Sequence, residues 1–425
     1  MLRLIVLLLP VLAWALPAPA ANISDAVRAV EPKVVSWRRD IHANPELGNR
    51  EFRTAALVED HLRGLGMEVE AGIAYTGVAG LLRGGSPGPT VALRADMDAL
   101  PVTEQVDLPF ASKVTTQYRG QEVGVMHACG HDMHVAILMG AAEVLAAQQD
   151  KLAGNVLFIF QPAEEGPPEG EKGGAQLMLE QGLFRKYQPE TVFGLHVGAG
   201  LNVGMAGYRS GAMMAAADSF KIVVRGKQAH ASRPWQGVDS NVTAAQILLG
   251  LQTIASRKVD VTRAPAIISV GSMQGGIRNN IIPDSAELWG TIRTFDPEMR
   301  LTIHDEIRRM AENTALAAGA EAEFSLGGTQ YPVTVNDPGL TEHSVPLLRE
   351  VLGKENVIQT PLITGAEDFA YYAREVPGFF VFLGATPRGQ DPEAAPTNHS
   401  PLFFADEGVL PIGVELMVRF ARSRL

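Results

Sequence analysis

The segment Met126-His127-Ala128-Cys129-Gly130-His131-Asp132-Met133-His134 packs a thiol and three imidazoles into positions 127–134. A thiolate with imidazoles suits zinc, and imidazole also suits other divalent ions. Cys129 is the single cysteine of the chain, so it has no disulfide partner within it. Set between histidines, it reads as a metal ligand rather than an inert core thiol. A second group, Phe160-Gln161-Pro162-Ala163-Glu164-Glu165-Gly166, places paired carboxylates directly after an apolar stretch. One carboxylate of such a pair can bind metal while the other moves protons. An isolated Glu-Glu is ordinarily only solvated, and position is what changes that reading here.

The elements around these groups supply the position. Near-continuous apolar runs at Thr90–Arg94, Val156–Phe160, Val192–Leu195 and Phe379–Leu383 read as strands covered on both faces. Helical patterns fall at Asp25–Arg39, Glu51–Leu65 and His131–Leu152. This alternation predicts an α/β fold with a mixed, mostly parallel sheet. Ligands of open α/β sheets bind beyond the carboxyl ends of the strands. Asp96 and Asp98 follow the first strand, Glu164 and Glu165 the second, His196 ends the third, and His399 follows the fourth after a loop. With Cys129 and His131 they give enough donors at one edge for two metal ions, a common hydrolytic clamp.

Between Met213 and Phe324 the pattern changes. Ser219–Arg225 alternates like a half-buried antiparallel strand, and the order strand, helix, strand, strand, helix follows. Because a strand of the first type returns at Phe379, residues 213–324 read as an α+β domain inserted into a catalytic domain of residues 21–212 and 325–425. At the N-terminus, Arg3, the apolar run Leu4–Leu16 and Ala18-Pro19-Ala20 read as a cleavable signal peptide over residues 1–20. The run is short of the ~20 residues that span a bilayer. The expectation is export to the periplasm or beyond, with no stable membrane insertion after cleavage. A formal net charge of −11 repels phosphate backbones and excludes nucleic acid as the expected partner.

Further segments complete a pattern: Arg38-Arg-Asp-Ile-His-Ala-Asn-Pro-Glu-Leu, Ala92-Leu-Arg-Ala-Asp-Met-Asp-Ala-Leu-Pro, Gly194-Leu-His-Val, Gln228-Ala-His-Ala-Ser, Asn280-Ile-Ile-Pro-Asp, Gly365-Ala-Glu-Asp-Phe and Asn398-His-Ser-Pro. With the two groups above, they run in order over nearly the whole chain after residue 20. In this the chain resembles the M20 metallopeptidase family, in the amidohydrolase branch that holds hippurate hydrolases, N-acyl-amino-acid amidohydrolases and auxin-conjugate hydrolases. The resemblance implies a zinc-peptidase-like catalytic domain with an inserted lid, or dimerisation, domain and a homodimer. It implies two divalent ions per subunit, zinc or manganese, with cobalt and nickel as further options. Cys129, His131, Glu165, His196 and His399 match the branch's metal ligands, with Cys129 where most of the wider family has a bridging aspartate. Glu164 matches the general base, and Asp98 matches the aspartate that orients a ligand histidine. Asp96 stands where the wider family often has a metal-binding histidine. His127 and His134 match no family ligand and read as supporting residues. His230 matches a lid histidine that contacts the substrate carbonyl, in many relatives from the partner subunit. Asn280 matches a lid residue near the substrate carboxylate, with Arg278 and Arg293 as nearby cations.

The implied function is metal-dependent hydrolysis of small N-acyl amino acids, with a dipeptidase or carboxypeptidase as the alternative within the family. Two readings lie outside it. A thiol hydrolase pairing Cys129 with His131 would put the dyad too close in sequence and leave the carboxylates unexplained. A non-catalytic binding protein with this fold would be expected to have lost Glu164, which turnover needs and metal binding does not.

Overall fold

The computed structural model describes residues 21–425, so the expected signal peptide at 1–20 lies outside the described residues. The chain opens with helices α1 (Asp25–Ala43) and α2 (Phe52–Gly64), then strands β1 (Glu68–Ile73), β2 (Gly77–Arg83) and β3 (Ser86–Asp96). A small hairpin, β4 (Thr115–Tyr118) and β5 (Gln121–Gly124), precedes helix α3 (His131–Ala146). Strand β6 (Ala153–Gln161), short helices α4 (Gly174–Glu180) and α5 (Leu183–Tyr187), and strands β7 (Thr191–Asn202), β8 (Ala206–Tyr208) and β9 (Gly211–Met214) follow. The second unit holds β10 (Ala216–Arg225), β11 (Ala229–His230), α6 (Ser240–Arg257), β12 (Ala266–Gly275), β13 (Ile281–Ile282), β14 (Ser285–Thr294), α7 (Pro297–Ala317) and β15 (Glu321–Tyr331). The chain then returns through β16 (Thr334–Asn336), α8 (Pro338–Leu352), β17 (Val357–Gln359), α9 (Phe369–Glu375), β18 (Gly378–Thr386) and α10 (Leu410–Arg422).

The large sheet has eight strands in the order β1-β2-β6-β3-β7-β18-β8-β17. Its centre, β6-β3-β7-β18, is parallel throughout. The β1–β2, β2–β6 and β18–β8 pairings are antiparallel, so the sheet is mixed. The parallel register pairs Asp96 with Gln161 and His196 with Phe382, which brings the strand ends bearing the candidate donors to one edge. Helix α3 is buried on nearly its whole circumference, as a helix apolar all round must be. It packs between α1 and α10 on one face of the sheet.

The second unit is a four-stranded antiparallel sheet, β12-β14-β10-β15, with α6 and α7 against it around a separate apolar core. Strand β10 alternates in burial, as a strand with one covered face does. Two sequence expectations need correction. The boundary at 324 falls inside β15, which pairs with β10 from Arg225↔Glu321 to Ala217↔Tyr331. The alternation that opens at Glu321 therefore continues as a strand of the second unit to Tyr331. The helix expected over 131–152 ends at Ala146. Its apolar period lapses at Gln148-Gln149-Asp150, where a short turn at Gln149–Lys151 reverses the chain into β6. Among the described residues no helix is long and apolar enough to cross a membrane.

A candidate metal centre at the carboxyl edge of the sheet

Gly130 fixes how the Cys129 and His131 side chains are presented. Its φ of +93° is left-handed, and a Cβ there would lie 2.3 Å from Val197 Cγ2. Only glycine meets both demands. Around this turn the donors converge. Cys129 Sγ lies 3.3 Å from His196 Nε2 and 3.3 Å from His399 Nε2. Glu165 Oε1 stands 3.0 Å from His399 Nε2. The ligand atoms of Cys129, His131 and His196 fall within 4.8 Å of one another, as do those of Cys129, Glu165 and His399, and those of His131, Glu164 and Glu165. Cys129 is thus common to two overlapping donor sets.

The tautomers follow from the partners of the other ring nitrogens. His196 Nδ1 donates to the Val197 carbonyl at 2.8 Å, leaving Nε2 with its lone pair toward Cys129. His131 Nδ1 donates to the Asp98 carbonyl at 2.8 Å, and its buried Nε2 has no partner. Such second hydrogen bonds are how metal-binding imidazoles are oriented. His134 differs, because both of its nitrogens are taken. Nε2 accepts from the Val197 N–H at 2.9 Å, so Nδ1 donates to Asp96 at 2.5 Å. His134 and Asp96 thereby brace β7 and α3 behind the donors, and Asp96 also accepts from Arg94 at 2.6 Å. His127 is buried with neither ring nitrogen bonded, and burial pushes it down to about 3.

Two loops are pinned at strained residues. Ala163 (φ +50°) and His399 (φ +72°) are left-handed non-glycine residues beside or within the donor set. Such outliers cost ~1–3 kcal/mol each and cluster at functional sites. Asp98 holds the first loop: its Oδ1 accepts from the Glu164 N–H at 3.1 Å and its Oδ2 from the Glu165 N–H at 3.0 Å. Asn398 holds the second, donating to the Cys129 and Val197 carbonyls at 3.0 Å each and accepting from the Ala199 N–H at 3.2 Å.

The field at this edge is negative. Burial pushes Glu164 well above the usual carboxylate range, and Glu367, Glu165 and Asp368 push the same way. Burial, with Glu165 and Glu164, also holds the Cys129 thiol well up. His131 resists burial because Asp96 and Asp98 raise it to about 10. A cation is what this field lacks. Together with the unpartnered buried His131 Nε2 and the thiol-imidazole-carboxylate donor chemistry, it makes the residues fit divalent metal.

The structure also shows partners that the sequence left without roles. Arg94 is fully buried and donates to Gln161 at 2.8 Å and to Glu367 and Asp368 at 2.9 Å each. Arg38 donates to Asp132 at 2.9 Å, and His42 Nδ1 lies 2.8 Å from the same carboxylate, tying α1 to the first turn of α3. Both groups sit in quoted segments, Arg38–Leu47 and Gly365–Phe369, whose residue types alone gave no partner. Of the expected lid residues, His230 and Asn280 are exposed and lie together, with the Ala231 N–H donating to the Asn280 carbonyl at 3.1 Å. Among the described residues, no hydrogen bond or ion pair joins either side chain to the donor cluster. Arg278 is exposed. Arg293 is half-buried, donating to the Ile292 carbonyl and to Thr291.

The profile of Peptidase family M20/M25/M40 matches residues 92–423. The chain belongs to this family. It is 41% identical to thermostable carboxypeptidase 2 of Saccharolobus solfataricus over 92% of this chain and 95% of that one. It is 37% identical to N-acetylcysteine deacetylase of Bacillus subtilis over 93% of this chain and 98% of that one. The crystal structure of the Bacillus subtilis YXEP protein, described as a dinuclear metal-binding peptidase of the M20 family, matches with a TM-score of 0.77 at 34% identity, covering 94% of this chain and 100% of that one. This M20 chain is accordingly a metal-dependent amidohydrolase or peptidase, built as a mixed-sheet α/β catalytic domain with an inserted second domain.

Proposed function

We propose that this M20 enzyme hydrolyses the amide bond of N-acyl amino acids or closely related small conjugates, using two divalent ions, zinc or manganese, with cobalt or nickel as substitutes. The observation that carries the reading is the division between two adjacent carboxylates. Glu165 lies 3.0 Å from His399 within the donor set. Glu164, beside it, accepts no ion-pair partner closer than His131 Nε2 at 3.9 Å and sits where its carboxyl readily holds a proton. One binds and the other shuttles.

The ligand set is Cys129, His131, Glu165, His196 and His399. Bound there, the ions would polarise the scissile carbonyl, bring the pKa of water toward ~7 and offset the negative field that otherwise keeps Glu164 protonated. Glu164 takes a proton from the attacking water and hands the same proton to the leaving amine, so one carboxylate serves both steps and is regenerated. Asp98 keeps Glu164 and Glu165 in register through their backbone N–H groups. The Ser232 N–H donates to His230 Nδ1 at 3.1 Å, so Nε2 carries the hydrogen. His230 is thereby an N–H donor suited to a developing oxyanion, an effect worth ~3–4 kcal/mol when well aimed. Because His230 lies on the exposed lid, we assign its approach to lid closure or to the partner lid of a homodimer. Asn280, with Arg278 near it, suits the substrate carboxylate. Export to the periplasm or beyond completes the proposal.

The likeness to a carboxypeptidase supports a second reading, cleavage of a C-terminal peptide bond with the same machinery. Rates on matched N-acyl amino acids and dipeptides, before and after chelation and re-metallation, separate the two. Metal-dependent turnover confined to dipeptides would replace the first reading by the second.

A further inference from the structure

Asp132 directly follows His131 in the first turn of α3, and its carboxylate belongs to a second buried charged group. His42 of α1 lies between two carboxylates. Its Nδ1 is 2.8 Å from Asp132 Oδ2, and its Nε2 is 3.1 Å from Glu104 Oε1. None of the three side chains is more than 3% exposed. An ionised carboxylate only accepts, and a neutral imidazole has a single N–H to give. Both contacts are therefore satisfied together by the imidazolium. We propose, resting on the reading of the donor cluster as a metal centre, that charged His42 is a positioning residue. It clamps the 101–114 loop to the turn that bears Cys129 and His131, so the centre holds its metal less firmly once His42 loses its proton.

Both arms of the clamp reach ligand residues. On one side, Arg38 Nε donates at 2.9 Å to the same Asp132 oxygen, fixing the start of α3. On the other, Glu104 Oε2 accepts from the Ser112 N–H at 2.5 Å, which folds the loop onto itself. The neighbouring Gln105 N–H donates to the Pro401 carbonyl at 2.9 Å, just beyond His399. The His399 N–H in turn donates to the Ala128 carbonyl at 2.8 Å, beside Cys129. These contacts close a circuit from His42 through Asp132, the 128–131 turn, the His399 loop and Gln105 back to Glu104. Cys129, His131 and His399 all lie on it.

The groups packed around His42 fit the charged state. Arg38 also reaches Glu407 at 3.4 Å, and Arg39 donates to Glu407 at 2.8 and 2.6 Å. His127 faces His42 with ring centroids 6.4 Å apart, and burial pushes it down to about 3, so it stays neutral. Arg38, Arg39 and charged His42 thus balance Asp132, Glu104 and Glu407. Phe110 covers the group, its ring centroid 5.6 Å from that of His42 and 4.6 Å from the Arg38 guanidinium. Burial pushes His42 down, yet Asp132 and Glu104 hold it above its ordinary value. A raised histidine contributes its full stability below the unfolded pKa of ~6.5, and that contribution is lost as pH rises through the higher folded value. Metal affinity ordinarily climbs with pH because the ligands must be deprotonated. The clamp acts in the opposite direction.

The test is the rate at which a colour-forming chelator strips zinc from the loaded enzyme between pH ~6 and pH ~10, in wild type, His42→Gln and Glu104→Gln, beside denaturant unfolding of each metal-free protein over the same range. His42→Gln should release zinc about tenfold faster than wild type at pH ~6 and within about twofold of it at pH ~10. Its unfolding midpoint should fall below that of metal-free wild type at pH ~6, and the margin should close toward pH ~10. Glu104→Gln keeps the Asp132 arm and carries the same test should His42→Gln fold poorly. It should bring the alkaline rise in zinc release to lower pH, because one carboxylate that holds the His42 proton is gone. A release ratio and an unfolding margin that do not change with pH would make His42 a packing residue and overturn the clamp. Release rates equal to wild type throughout would overturn it as well. A wild type that takes up no zinc overturns the metal centre itself, and the proposal with it.

Discussion

Asp98→Asn tests whether the donor cluster is held together as described. Both carboxylate oxygens of Asp98 accept backbone N–H groups, from Glu164 at 3.1 Å and Glu165 at 3.0 Å. The same side chain reaches within 3.3 Å of His131 Nδ1. An asparagine can accept only one of the two N–H groups and turns an NH2 toward the other. One backbone donor at a buried loop then loses its partner, which costs about 1–3 kcal/mol. The variant should be less stable by that amount in denaturant titrations of the metal-free protein. Because the loop presents Glu164 and Glu165 and the ring presents His131, metal affinity should also fall by ~10–100-fold, as it does when outer partners of ligands are changed. Equilibrium dialysis against zinc or manganese measures this. Unchanged affinity with reduced stability would mean that Asp98 only supports the loop. Neither quantity moving would refute the reasoning.

Other perturbations follow from the same geometry. Gly130→Ala forces a Cβ to 2.3 Å from Val197 Cγ2 at a φ of +93°, so it should destabilise by more than ~2 kcal/mol and lower metal content, read by thermal unfolding and elemental analysis. Tyr331→Phe removes the hydroxyl that donates to the Glu164 carbonyl from the end of β15. It should leave fold and metal content intact, cost ~0.5–1.5 kcal/mol and lower kcat more than it raises KM. In the second domain, burial pushes Asp218 up, yet Arg300 and His304 hold it below the ordinary value. A depressed carboxylate stabilises the fold above its unfolded pKa of ~3.9, and that contribution is lost as pH falls through the lower folded value. Wild type should therefore exceed Asp218→Asn in stability at neutral pH, and the gap should close below pH ~4. A gap independent of pH would remove the charge from the explanation.

The donor edge was legible because parallel strands buried on both faces leave one signal, a continuous apolar run, and because donors after such runs must meet at one edge. Asp96, Asp98, Glu164, Glu165 and His196 all end or closely follow such runs. Cys129 and His131 joined them through Gly130, whose left-handed turn opens α3. What the sequence could not give are pairings between distant segments. Arg94 binding Glu367 and Asp368, Asn398 bridging Cys129 to Val197, and Arg38 and His42 sharing Asp132 all depend on tertiary approach, not on local period. The end of the second domain is hard to read for a related reason, since β15 is defined by its partner β10 rather than by its own composition. The β4–β5 hairpin leaves little signal because Thr115–Gly124 is polar and short.

The central claim is that Glu164 moves protons while its neighbours hold metal. Glu164→Gln, assayed beside wild type for bound metal and for turnover of an N-acyl amino acid, tests it most directly. The account predicts metal content equal to wild type with kcat reduced by at least ~10²-fold. A variant that turns over at close to the wild-type rate, or that loses its metal along with its activity, would contradict the division of labour between Glu164 and Glu165.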